Sequence, residues 1–202
     1  MSALRNRECD TAVAGGGNII ASPFWNSTLS KAGFLTNTPG GCKTFREDAD
    51  GYCRAEAVGV VVLKRLEDAI HDNDSIIAVL RSYACNHSAD AVSLTRPDAG
   101  TQKRLYSQAL HRAALQETDI TYVEMHGTGT VAGDSAEMQS VVDVFGKGRT
   151  ENSPLLVSSL KANIGHSEAV SGDPLFHHSL ENSRLTNLFR RHQECLRSSR
   201  LR

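Results

Sequence analysis

Two short stretches hold the densest chemistry of this chain. The first is Glu124-Met125-His126-Gly127-Thr128-Gly129-Thr130, continued by Gly133-Asp134 and Glu137. An apolar run delivers His126 at its end. Two glycines let the backbone turn tightly. Two threonine hydroxyls follow, and Asp134 stands where it can cap the next helix. Alone, the stretch reads as a strand–turn–helix corner with a polar histidine. It also matches G-x-G-x-x-A (Gly127, Gly129, Ala132), a loose dinucleotide fingerprint. Asp134, however, sets a negative charge where a pyrophosphate would sit.

The second stretch is Lys161-Ala162-Asn163-Ile164-Gly165-His166-Ser167-Glu168-Ala169. It too follows an apolar run, and Gly165 allows close backbone approach before the histidine. Together the two stretches give two strand-end histidines, each beside a glycine, with a lysine nearby. A third segment, residues 45–57, carries Phe45-Arg46-Glu47-Asp48-Ala49-Asp50-Gly51-Tyr52-Cys53-Arg54 and leads into an apolar run. Zinc is set aside, because Cys42 and Cys53 are eleven apart and no C-x-x-C pair exists, so no metal is expected.

The elements that position these residues follow from pattern. Residues 11–15 are a small-residue strand running into a Gly15-Gly16-Gly17 turn. Residues 57–63 (AVGVVVL) are a β-branched run that reads as a strand buried on both faces. Residues 65–73 and 101–116 read as helices; 76–85, 120–125 and 155–160 read as strands. Residues 134–145 place Met138, Val141, Val142 and Phe145 on one helical face. The loop over residues 37–52 is long and Gly-rich, so it is functional or held by a partner surface. Strands alternating with helices give an α/β layered chain.

Composition agrees with a soluble globular protein. Of 202 residues, 40% are hydrophobic, and 22 Lys+Arg face 23 Asp+Glu for a net charge of −1. That balance removes whole-molecule attraction to nucleic acid or acidic membranes. No apolar run approaches the roughly 18 residues needed to cross a bilayer. Five scattered cysteines fit reduced thiols in the cytoplasm better than a disulfide framework. The charge is uneven. Residues 173–202 hold six arginines against three acids, +3, which leaves −4 for residues 1–172.

In their order, the three segments resemble the ketosynthase (β-ketoacyl synthase) domain of iterative type I polyketide synthases. Other stretches agree: Arg7-Glu8-Cys9-Asp10 through Gly16, Lys31-Ala32-Gly33-Phe34-Leu35, and Asn86-His87-Ser88-Ala89 with Ser93-Leu94-Thr95-Arg96-Pro97. The last set is most like the fungal non-reducing class. The resemblance implies a partial thiolase-like α/β fold, a mixed sheet layered with helices. It also implies acyltransfer by decarboxylative Claisen condensation. His126 and His166 match the family's two histidines that stabilise the oxyanion of the decarboxylating malonyl thioester. Lys161 matches the family lysine, with Glu137 as its expected partner across the site and Asp134 behind it. Thr128 and Thr130 match positions that bind the phosphopantetheine arm of an acyl carrier protein. That carrier and a second ketosynthase are the implied partners; no nucleic acid, membrane or directly bound cofactor is implied.

Two departures shape the expectation. The family nucleophile lies in a Thr-Ala-Cys-Ser-Ser type segment upstream of the stretch matched by residues 3–16, and none of Cys9, Cys42, Cys53, Cys85 or Cys195 takes its place. After Gly172 the sequence leaves the family pattern. Residues 1–172 are therefore expected to be a partial ketosynthase domain without its nucleophile, truncated at both ends, and residues 173–202 a poorly ordered basic tail. The chain alone is then expected to be a poorly soluble, non-catalytic remnant binding a carrier protein or a ketosynthase partner. The alternative of another class is a nucleotide-binding α/β domain.

Overall fold

The computed structural model describes residues 1–38, 40–89, 91–93 and 96–172. The expected basic tail lies outside them. A short helix, α1 (Ser2–Arg5), leads into β1 (Thr11–Asn18), which pairs antiparallel with β2 (Ala57–Lys64), from Thr11↔Lys64 to Asn18↔Ala57. β1 runs straight through its three glycines, where a turn was expected. A Cβ at Gly15 would stand 2.5 Å from the Gly59 carbonyl oxygen, so the glycine there serves close approach rather than chain reversal.

β2 was expected to be buried on both faces. It is not: Val58 and Val62 are 75% and 70% exposed, and Val60 and Val13 are exposed beside them. Alternate residues of a strand face opposite sides. The described residues cover only the side of Val61 and Leu63. Helix α2 (Pro23–Lys31) starts with the Ser22 hydroxyl accepting the Phe24 N–H at 3.3 Å and Pro23 in the first turn. Helix α3 (Leu66–His71) follows β2 as expected.

Residues 76–85 form no ladder among the described residues, so the expected strand is absent. The segment is instead tied to the next helix by side chains. Ser82 Oγ donates to the Ala109 carbonyl at 2.7 Å, and Arg81 Nη2 to the Ala113 carbonyl at 3.1 Å. That helix is α4 (Ala99–Ala113), capped by Asp98, whose carboxylate accepts the Thr101 N–H at 2.6 Å.

β3 (Tyr122–Glu124) and β4 (Leu156–Ser158) pair in parallel, Tyr122↔Leu156 to Glu124↔Ser158, with α5 (Val131–Phe145) between them in the chain. The short helix α6 (Lys161–Ile164) follows β4. Helices α4 and α5 pack on each other, and the core they share with the end of β3 is Leu110, Met125, Val141, Val144 and Phe145. The expected face of α5 is rotated: Val144 is buried and Val142 is exposed, because the core lies toward α4 and β3. None of the described helices is long and apolar enough to cross a membrane.

Chemical denaturation checks this face directly. Phe145→Ala is expected to cost about 3–4 kcal/mol, while Val142→Ala stays within about 0.5 kcal/mol. Equal losses from the two would place the buried face of α5 elsewhere.

Candidate active site

The parallel pairing of β3 and β4 ends both strands side by side. The Met125 N–H donates to the Ser158 carbonyl at 2.8 Å, so the two histidine loops leave from one sheet end. Two carboxylates on α5 then shape the first loop. Glu137 accepts the N–H groups of His126 (2.5 Å) and Gly127 (2.9 Å). Asp134 accepts those of Phe45 (2.7 Å) and Gly129 (3.1 Å). Asp134 therefore does not cap α5 as expected. Thr130 holds the N-cap position, and Asp134 sits four residues on, where it ties two loops together.

The long segment 42–56 clamps both histidine loops. Thr44 Oγ1 donates to the Gly127 carbonyl at 2.6 Å, and the Gly51 N–H to the Gly129 carbonyl at 3.0 Å. On the other loop, the His166 N–H donates to the Cys53 carbonyl at 2.7 Å and the Ala55 N–H to the His166 carbonyl at 2.9 Å. Gly127 has φ +45°, and a Cβ there would come within 2.6 Å of both Ser159 Cβ and Thr44 Cγ2. The corner thus closes only around glycine.

The outcome is a pair of imidazoles with centroids 5.5 Å apart and planes perpendicular. The Tyr52 ring stands 5.1 Å from His166. His166 Nδ1 accepts the Glu168 N–H at 3.0 Å, which assigns the ring proton to Nε2 in the neutral form. Lys161 opens α6, is 2% exposed, and its Nζ has no hydrogen-bond partner among the described residues. Glu137 faces Lys161 through its charge, which holds the lysine up, while each of its oxygens accepts one backbone N–H; no direct hydrogen bond joins the two among the described residues. Thr128 is buried, with its Oγ1 3.3 Å from that of Thr130.

The Gly-rich corner offers little to a pyrophosphate, since the N–H groups of His126, Gly127 and Gly129 already bind carboxylates. Among the described residues no group of three or more His, Cys, Asp or Glu is placed to hold a metal ion. Tyr52, Arg54 and Glu168 were not singled out in advance. They lie within the second and third motifs, but more than a hundred residues separate their ends, so only the fold joins them.

Comparison with known proteins identifies the family. The family description "beta-ketoacyl synthase, N-terminal domain" matches residues 1–69, and "beta-ketoacyl synthase, C-terminal domain" matches residues 77–174. The chain belongs to the β-ketoacyl synthase family. It is 65% identical over 170 residues to non-reducing polyketide synthase ntnG of a Nectria species and 66% identical over 170 residues to atnG of an Arthrinium species. Each match covers 84% of this chain and 8% of the synthase. Among solved structures, an oxazolomycin ketosynthase domain of Streptomyces albus JA3453 matches with a TM-score of 0.83 and 38% identity. A ketosynthase from module 6 of the Bacillus subtilis 168 bacillaene synthase matches with 0.82 and 34%. The chain spans about a third of each, 32%. The expected thiolase-like α/β class of a ketosynthase thus holds.

The electrostatics of this site favour neutral imidazoles. Burial, then the Lys161 charge, then His166, pull the His126 pKa from 6.5 to about 4. As a residue His126 is exposed, and solvent at its outer edge moderates the burial contribution; the repulsion from Lys161 acts in the same direction without it. His166 is lowered by burial and Lys161, against an opposing pull from Glu168. Burial lowers Lys161, while Glu137, Glu124 and Cys42 hold it up. Burial raises Glu137 despite its two N–H bonds. Burial also raises the Cys42 thiol, which makes it a poor nucleophile at neutral pH.

A depressed histidine pKa means the unfolded chain binds more protons between the two values, so stability rises with pH across that window. For His126 the window runs from about 4 to 6.5. NMR titration is expected to show His126 neutral at pH 6, with its contribution to stability lost as pH falls toward 4. A midpoint at or above 6.5 would contradict the site as described.

Proposed function

We propose that residues 1–172 are the part of a polyketide ketosynthase that binds a malonyl thioester and stabilises the charge formed when it loses CO2. The observation that carries this reading is the pair of perpendicular imidazoles near the buried Lys161 Nζ, which lacks a hydrogen-bond partner among the described residues. Burial penalises the charged form of Lys161, and an anion arriving beside it relieves that cost.

In this reading His126 and His166 each donate one N–H to the thioester oxygen. The C–C bond to the malonyl carboxylate breaks, its electron pair becomes the enolate, and CO2 leaves. The donors stand in place before charge develops, so little reorganisation opposes the step. Lys161 supplies positive potential without itself transferring a proton. Asp134 and Glu137 hold the loops, and Thr128 and Thr130 meet the phosphopantetheine arm of an acyl carrier protein. In the condensing reaction the enolate attacks an acyl group held on a cysteine. None of the described cysteines suits that role, so this chain alone returns the enolate to an acetyl thioester by protonation from water. A second ketosynthase and a carrier protein are the partners of this reading. Free Cys9, Cys42, Cys53 and Cys85 suit a reducing cytoplasmic setting.

The test uses malonyl-pantetheine with the full 202-residue chain, reading CO2 release and protein mass together. Release above the protein-free rate is expected, with no acyl mass added to the chain. His126→Ala and His166→Ala should each lower the rate about 100-fold or more. Release that is unchanged in both variants would sink the reading, and stoichiometric acylation of one cysteine would replace the half-reaction with the full one.

A further inference from the structure

We propose that Arg54, Glu168 and Tyr52 form a positioning device that fixes the tautomer of His166. The geometry starts from the backbone. Arg54 and His166 face each other in an isolated parallel bridge, closed by the His166 N–H to the Cys53 carbonyl and the Ala55 N–H to the His166 carbonyl. That register sets Arg54 beside the histidine loop. Its Nε reaches Glu168 Oε1 at 3.1 Å, and the Tyr52 hydroxyl reaches the same oxygen at 3.4 Å. The Arg54 side chain is only 11% exposed, so its ion pair with Glu168 is shielded from solvent on one side.

Glu168 needs that hold. Its φ is +50°, a left-handed conformation uncommon for residues other than glycine. In this conformation it opens the 3₁₀ turn Glu168–Val170, and its backbone N–H points at His166 Nδ1. A donor on Nδ1 leaves the ring proton on Nε2 and turns Nε2 into a donor. The side-chain carboxylate thus anchors the residue whose main chain selects the tautomer. Tyr52 adds its ring against the imidazole and its hydroxyl to the same carboxylate. The role assigned to these three residues is to position His166. The inference extends the proposed role of His166 as an Nε2–H donor, but the tautomer itself can be measured without any substrate.

The test is ¹⁵N NMR of histidine-labelled full chain. The wild type is expected to show His166 as a single Nε2–H form. Arg54→Gln should lower the ratio of Nε2–H to Nδ1–H about five-fold, the scale of one net hydrogen bond, and Arg54→Lys should restore most of it. If Arg54→Gln fails to fold, Glu168→Ala takes its place, removing the anchor and leaving alanine in the left-handed conformation. A folded Arg54→Gln or Glu168→Ala with the wild-type tautomer ratio overturns the proposal, as does a wild type carrying the proton on Nδ1. Malonyl-pantetheine decarboxylation separates the two readings. An Arg54-dependent tautomer with activity indifferent to His166→Ala rejects only the donor role. Activity that needs His166, with a tautomer indifferent to Arg54, rejects only the positioning device.

Discussion

Two carboxylates one turn apart on α5 hold four backbone N–H groups, and the site depends on them. Asp134 and Glu137 together bind Phe45, Gly129, His126 and Gly127. Buried N–H groups must find acceptors, and a tight corner leaves them no ladder partner. A charged acceptor makes the stronger bond. The helix is in turn fixed by Val141, Val144 and Phe145 in the core. Packing of the apolar side of α5 thus becomes the placement of His126.

The same carboxylates set the electrostatics. Glu137 lends its field to Lys161 without pairing with it, so the ammonium stays free of a hydrogen-bond partner among the described residues. Burial first, and that charge second, lower both imidazoles and favour their neutral form. A neutral imidazole has one N–H to give, and its direction depends on what holds the other nitrogen. For His166 that partner is the main chain of Glu168. Donors, ammonium and anchoring carboxylates are one arrangement, assembled by three segments far apart in sequence.

Much of this was legible in the sequence, and the failures share a cause. Strand–turn–helix patterning located both histidine loops and most elements, because hydrophobic period and glycine placement are local properties. What needed the neighbours was not legible. The β2 run is apolar on both faces, yet the described residues cover one. Residues 76–85 have strand composition but no ladder partner among the described residues. The face of α5 turned from Val142 to Val144 because α4 decides where the core lies. Glu137 acts on Lys161 through its charge, but its two bonds to backbone donors eleven and ten residues away were not legible. The Arg54–Glu168 pair spans 114 residues and leaves no mark in local pattern.

The central claim is that His126 and His166 address one ligand atom together. The direct measurement is side-chain NMR of the histidine rings in the full chain during addition of a non-decarboxylating malonyl-pantetheine analogue. The account predicts that His126 and His166 shift together with one saturation curve, while His71, His87 and His111 stay unmoved. Shifts at only one of the two rings, or at neither, would contradict it.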